Sequence, residues 1–308
     1  MEYPLDLNHP YWYKYIKSVD PKIIESIIRE EILTSEKLQI HLDVYDQPIE
    51  KPSIRNVIFI HGTAIYSRFY AEFCYNLWLK GFRVFAPDLP GHGLSGGSRG
   101  YFTMKLLTDS ISHVVKYIRT TYPGKICLMG SSLGGIATLY TALSSTSLDM
   151  IICHNAALFH EDAYKSIVKV GGFLNLLIKM VPFFSKIVPK LRLSVFLYLP
   201  RERLASTSEG LEAYNKFVKD PLLARKYTLL SLYSQMNEAP HKSIEELEIP
   251  VLFINGENDQ LFTPRFIEGI FKRISSKNKK LVILKRAEHL IFQQNIPEVL
   301  DEILLFLR

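Results

Sequence analysis

Three cysteines in 308 residues are too few for a disulfide framework, and Cys74, Cys127 and Cys153 stand far apart in apolar runs with no C-x-x-C spacing. They read as reduced core residues in a reducing, cytoplasmic compartment. The first fifteen residues, MEYPLDLNHPYWYKY, lack the basic start and apolar h-region of a secretory signal. No apolar run is long enough to cross a bilayer: the longest uncharged stretch of the most apolar segment, residues 170–178, ends at Lys179 after about half a span. Internal repeats and low-complexity tracts are absent as well. Acid is scarce in one place, because residues 161–203 hold eight Lys or Arg against three Asp or Glu and so carry five of the chain's six net positive charges. Basicity confined to one segment, with no aromatic-plus-basic motif beside it, excludes a nucleic-acid partner.

What is present is organised around residues 125–135, KICLMGSSLGG. An apolar run ends in Gly130-Ser131-Ser132-Leu133-Gly134 and a small-residue helical pattern follows, which is G-x-S-x-G between a strand and a helix. The pattern alone is weak, since Gly93-Leu94-Ser95-Gly96-Gly97 and Gly96-Gly97-Ser98-Arg99-Gly100 also match it. Those two overlap in a glycine-rich loop and follow no strand directly, so context selects Ser132.

Along the chain, Asp20-Pro21 reads as an N-cap and first helical position before Ile23, Ile24, Ile27 and Ile28. Tyr11, Trp12, Tyr13 and Tyr15 read as packing against the main body, with a lipid-interface anchor as the alternative. Residues 38–45 alternate as a half-buried strand would. A strand-then-helix rhythm then predicts a mostly parallel sheet flanked by helices. Its strands are 57–60, 83–86, 126–129 and 150–153, and after a break 251–254 and 281–284. Between about 157 and 240 the rhythm stops. A run dense in Phe, Leu, Ile and Val, cut by Pro182, Pro189 and Pro200, precedes a more polar helical pattern opened by Asp220-Pro221. The expected organisation is a sheet domain of residues 1–156 and 241–308 with a helical cap inserted at 157–240.

A serine hydroxyl needs a base to take its proton and an acid to orient that base. The α/β-hydrolase order is Ser, then Asp or Glu, then His, each after a strand. Asp259, in Gly256-x-x-Asp259 after the strand at 251–254, and His289, after the strand at 281–284, satisfy order and context. Glu257 is the alternative acid. His61 and His92 lie in glycine turns suited to backbone bonds, His113 falls on a helix, and His154 ends a strand on the site side but would break the order as base. The oxyanion formed on attack needs two amide donors. They are Leu133, at the start of the helix after Ser132, and Thr63, after His61-Gly62, with Ala64 as the alternative second donor. The scheme calls for no cofactor and no metal.

These motifs together resemble the monoacylglycerol lipase and lysophospholipase group of α/β-hydrolases. The resemblance rests on His61-Gly62-Thr63, on residues 88–95 with Gly97 and Arg99-Gly100, on residues 130–135, and on Gly256-x-x-Asp259 with His289. It implies an α/β-hydrolase fold, Ser132, Asp259 and His289 as the triad, Thr63 and Leu133 as the oxyanion hole, and structural roles for Ser95 and Ser98. Leu290 departs from relatives that place an acid after the histidine, and the segment at 157–240 has no counterpart in the resemblance.

That segment supplies Phe173, Leu174, Leu177, Ile178, Phe183, Phe184, Ile187 and Val188, interleaved with Lys179, Lys186, Lys190 and Arg192. For most of them the simpler account is packing of the cap onto the sheet, with the charges as a solvated rim. The other is contact with acyl chains and anionic headgroups, a peripheral membrane association. Few acids in the cap to hold a substrate ammonium disfavour an aminopeptidase. The expected function is a serine carboxylester hydrolase acting on a small-molecule single-chain acyl ester, monoacylglycerol or lysophospholipid. A thioesterase or aminopeptidase on the same triad, and a non-catalytic lipid-binding protein, are the alternatives.

Overall fold

The computed structural model describes residues 10–35, 38–47, 56–144, 148–161, 172–197, 199, 201–204 and 206–307, without the side chains of 172–178, 202 and 209. The chain enters through a short 3-10 turn, Tyr13–Tyr15, and a helix α1, Pro21–Ile27, whose Asp20 cap accepts from the Lys22 amide. The aromatic leader packs inward, as expected. Trp12 and Tyr15 are buried, and the Tyr15 ring lies 4.6 Å from Phe69. Helix α1 is shorter than its isoleucines suggest, since Ile28 already has extended backbone and begins strand β1, Ile28–Thr34. β1 pairs antiparallel with β2, Gln39–Tyr45. The sequence IREEILT hides this strand because an edge strand carries charge: Glu31 meets Arg29 and Tyr117, and Glu30 meets Arg68.

Strands β3, Asn56–Ile60, and β4, Arg83–Pro87, flank helix α2, Ala71–Leu79. Helix α3, Met104–Thr121, is capped by Thr103 and leads to β5, Ile126–Ser131, helix α4, Leu133–Ala142, and β6, Met150–His154. After the insertion come β9, Val251–Gly256, helix α9, Pro264–Arg273, and β10, Lys279–Leu284, then α10, Ile291–Gln294, and α11, Ile296–Phe306. The eight strands order as β1-β2-β4-β3-β5-β6-β9-β10, and from β4 to β10 all neighbours are parallel. Strands β3, β4, β5, β6 and β9 are buried throughout, which explains their unbroken apolar runs. β10 is only half-buried because it is the far edge.

From β3 the chain crosses to β4 on one side, and β5 lies on the other. Such a reversal opens a crevice beyond the carboxyl ends of the two central strands, where ligands bind in open α/β sheets. The loops after β3 and β5 both reach it. Beneath lies an aromatic cluster in which Phe59 of β3 meets Phe73 of α2 and Phe292 of α10 at centroid separations of 5.2 Å each. Truncating Phe59 to Ala costs about 3–5 kcal/mol.

The insertion between β6 and β9 is mostly helical but not wholly so. It contains α5, Gly172–Ile187, α6, Arg201–Leu204, α7, Ser208–Val218, and α8, Leu229–Asn237. It also holds an antiparallel ribbon of β7, Arg192–Ser194, with β8, Lys226–Thr228, too short for an alternation signal. Asp220-Pro221 does not open a helix. Asp220 is a buried carboxylate in a turn, and the helix that follows starts at Leu229, capped by Thr228. Phe183, Phe184, Ile187 and Val188 are exposed and do not pack onto the sheet, contrary to the simpler expectation, while Phe173, Leu174, Leu177 and Ile178 lie outside the described side chains. Among the described residues no helix is long and apolar enough to cross a membrane. The three cysteines are buried and no disulfide joins them.

Candidate active site

Ser132 sits between β5 and α4 with φ 55° and ψ −117°, a left-handed conformation rare for a residue with a side chain. Two glycines make that turn possible by close approach. A Cβ on Gly130 would lie 2.1 Å from the Gly134 carbonyl oxygen, and one on Gly134 2.2 Å from that of Ile60. Any side chain there would push α4 away from the sheet. The Ser132 amide donates to the His154 carbonyl (3.0 Å), tying the turn to β6. Leu133 is the first residue of α4, so its amide is at the positive end of the helix.

Asp259 and His289 meet. His289 Nδ1 lies 2.9 Å from Asp259 Oδ2, which also accepts from Asn155 Nδ2 (2.8 Å). Asp259 Oδ1 accepts from the amides of Leu261 (2.8 Å) and Phe262 (2.9 Å). Burial alone would raise the Asp259 carboxyl; the neighbouring His289, by charge and hydrogen bond, outweighs it and holds the group below the usual carboxylate range. Glu257, two residues away, is exposed and accepts from the Arg286 amide (2.9 Å), so it meets the backbone of the β10 loop and not the imidazole.

His61 and His92 have partners elsewhere. His61 accepts from the Leu89 amide at Nε2 (2.9 Å) and faces the Gly62 carbonyl with Nδ1. His92 contacts the Pro90 carbonyl (3.0 Å) and the Tyr227 hydroxyl (2.7 Å), and burial pulls it down to about 3. Ser95 donates to the Asp88 carbonyl (2.6 Å) and accepts from the His41 amide, while Ser98 accepts from Arg192. Both sit in the glycine loop as structural partners.

The loop after β3 is gripped from the insertion. Ala64 has φ 68°; its amide donates to the Tyr227 hydroxyl (2.6 Å) and its carbonyl accepts from the Ala224 amide (2.8 Å). With both its polar backbone groups engaged, Ala64 has no donor to offer an oxyanion. Thr63 lines the site cavity beside Gly62, Ser131, Ser132 and His289. That cavity is only about 40 Å³, and its apolar walls come from both sides: Ile65 and Phe69 from the segment between β3 and α2, Leu199, Leu204 and Phe217 from the insertion. Glu288 next to His289 is buried and binds the Ser206 amide (3.0 Å) and the hydroxyls of Ser206 and Thr207.

Among the described residues, two clusters have donor atoms close enough to share a cation, His154-Asp259-His289 and Glu30-His41-Asp43. In the first the Asp259–His289 bond already joins two members, and in the second the Arg68 guanidinium supplies the positive charge. Sequence reading missed Asn155, Tyr227, Asp220 and Glu288. Each acts across a long chain separation, and nothing local distinguishes them from ordinary polar residues.

Residues 51–295 match the family described as serine aminopeptidase, S33. Monoglyceride lipase of Homo sapiens is 26% identical over 269 residues, covering 84% of this chain and 82% of that protein. Pimeloyl-[acyl-carrier protein] methyl ester esterase of Neisseria meningitidis serogroup B / serotype 15 (strain H44/76) is 26% identical over 244 residues, covering 78% and 88%. Two solved structures share the fold. Monoacylglycerol lipase of Paleococcus ferrophilus has a TM-score of 0.70 at 21% identity, covering 87% of this chain and 99% of its own. A soluble variant of the Saccharomyces cerevisiae monoglyceride lipase, in complex with a substrate analog, has 0.72 at 18%, covering 97% and 99%. With the match spanning most of the chain and the sheet order, serine turn and Asp–His pair in place, this chain belongs to the serine aminopeptidase S33 family of α/β-hydrolases.

Proposed function

We infer that the chain is a serine carboxylester hydrolase that cleaves single-chain acyl esters, of monoacylglycerol or lysophospholipid type, through an acyl-enzyme on Ser132. The observation that carries this reading is that His289, held by Asp259 at 2.9 Å, shares with Ser132 one small cavity roofed by apolar side chains. His289 takes the Ser132 proton as Oγ attacks the ester carbonyl. The oxyanion is met by the amides of Leu133 and Thr63, worth about 3 kcal/mol each. His289 then returns the proton to the leaving alcohol, and the same base activates water to release the acid. Asp259, ionised and accepting hydrogen bonds on both oxygens, keeps the imidazole oriented with Nδ1–H inward.

Residues 157–240 act in this scheme as a cap on the core formed by 1–156 and 241–308. A cavity of about 40 Å³ holds a few waters and no long chain, so the roof residues Leu199, Leu204 and Phe217 move aside for substrate. Among the lining residues none is acidic, which favours a neutral ester over a substrate ammonium and hence over an aminopeptidase. Exposed Phe183, Phe184, Ile187 and Val188, beside exposed Lys179, Lys186 and Lys190, support peripheral contact of the cap with anionic lipid.

The test is Ser132→Ala against a chain-length series of p-nitrophenyl esters, with fluorophosphonate labelling of the native protein. Turnover is expected to fall at least about 10⁴-fold with unchanged melting, and labelling to map to Ser132. Retained turnover overturns the nucleophile, and a steep preference for acetyl over octanoyl esters overturns the single-chain acyl substrate.

A further inference from the structure

One buried histidine has no part in the scheme above. His154, fully buried at the end of β6, lies behind the Asp259–His289 pair, its ring 5.4 Å from that of His289. Its Nδ1 is 3.1 Å from Ser131 Oγ, which accepts from the Tyr70 hydroxyl (3.1 Å). Its Nε2 faces Asp259 Oδ2 at 4.0 Å and has no hydrogen-bond partner. Tyr70 and Ser131 line the substrate cavity. The four residues therefore form a file from the cavity wall to the acid.

The direction of the protons follows from what each group can do. Burial pushes the Tyr70 hydroxyl up and keeps it a donor. Burial likewise pulls His154 down to about 3, so the ring is neutral and carries one proton. With that proton on Nδ1, a bare Nε2 lone pair would point at a carboxylate oxygen. With it on Nε2, Tyr70 donates to Ser131, Ser131 donates to Nδ1, and an N–H dipole points at the negative charge. Electrostatics selects the second tautomer.

We propose that His154 is a positioning residue for the triad acid, its Nε2–H, oriented by Tyr70 and Ser131, stabilising the Asp259 carboxylate and so holding it against His289. This rests on the triad reading above. Within the file, Asp259 and, through Ser131, Tyr70 are the titratable groups facing the two imidazoles, and Phe292 and Phe262 supply apolar walls. Glu288 is turned to Ser206 and Thr207. Removing the dipole leaves the Asp259 carboxylate less stabilised on that side, and its hydrogen bond to His289 changes with it.

The experiment is an NMR titration of the full-length protein with isotopically labelled histidine, for the native chain, His154→Leu, His154→Gln and Ser131→Ala. The expected result is a neutral His154 with its proton on Nε2, and a His289 Nδ1–H resonance displaced in His154→Leu and Ser131→Ala but near native in His154→Gln, whose amide restores a donor. A proton on Nδ1 of His154, or one His289 Nδ1–H resonance in all four proteins, overturns the proposal. Ser131→Ala keeps the test decisive should the larger substitution unfold the chain. The value of kcat/KM is expected to fall in the variants whose resonance moves and to recover in His154→Gln. Absence of ester turnover would refute the esterase reading while leaving the titration to decide the file.

Discussion

The two halves of the insertion are held by different chemistry. Residues 220–238 are fixed by directional polar bonds to the rest of the chain. Asp220 accepts from Tyr15 (2.8 Å) and Tyr66 (2.6 Å) and pairs with Lys14 (3.0 Å), joining leader, site loop and insertion in one buried knot. Thr228 donates to the Gly100 carbonyl, and the hydroxyls of Ser231 and Ser234 accept from the amides of Phe102 and Met104. The earlier half, α5 and the residues that follow it, rests mainly on α8 and on the ribbon. It turns Phe183 and Ile187 outward, each more than half exposed. Both halves are rich in apolar residues. The difference is where the polar partners are: the later half tethers the loop after β3 through Tyr227, while the earlier half supplies the roof of the cavity and the outer apolar surface.

Three variants test that contrast. Asp220→Ala leaves the Lys14 charge and two tyrosine hydroxyls without their acceptor, and stability is expected to fall by about 3–5 kcal/mol in urea unfolding. A loss under 1 kcal/mol would mean the knot is ornamental. Tyr227→Phe removes only a hydroxyl, but leaves the Ala64 amide and His92 Nε2 unpaired. We expect a loss of about 1–3 kcal/mol and a kcat lowered about tenfold, because the loop that presents Thr63 loses its tether; a pure stability effect would separate the tether from catalysis. Phe183→Asp with Ile187→Asp should change stability by no more than about 0.5 kcal/mol, while co-sedimentation with anionic vesicles falls away. Unchanged sedimentation would remove the membrane role from the cap.

Much of the sheet was legible because parallel strands buried on both faces are unbroken apolar runs, as at 57–60 and 251–254. β1 was not, because its charges are those of an edge, and the β7–β8 ribbon was not, because each strand spans only three residues. Asp220-Pro221 misled for a related reason: the pair is a helix-start signal locally, and here the carboxylate is spent on tyrosines from distant segments. Within the site, Glu257 and Asp259 were open alternatives because both follow the same strand. Their side chains diverge in the turn, one to the Arg286 amide and one to His289.

The sequence by itself determined which serine stands in the turn, because G-x-S-x-G between an apolar run and a small-residue helical pattern is a local signal, even though Gly134 also meets the distant Ile60 carbonyl. It also determined the chain order of serine, acid and histidine. Only the tertiary structure decided which carboxylate meets the imidazole, that the Ala64 amide is bound to Tyr227 while Thr63 lines the cavity, and that His154 looks onto Asp259 from behind. Those contacts join residues 30 to more than 150 positions apart. No pattern along a chain encodes a hydrogen bond whose partners meet only when the sheet is assembled.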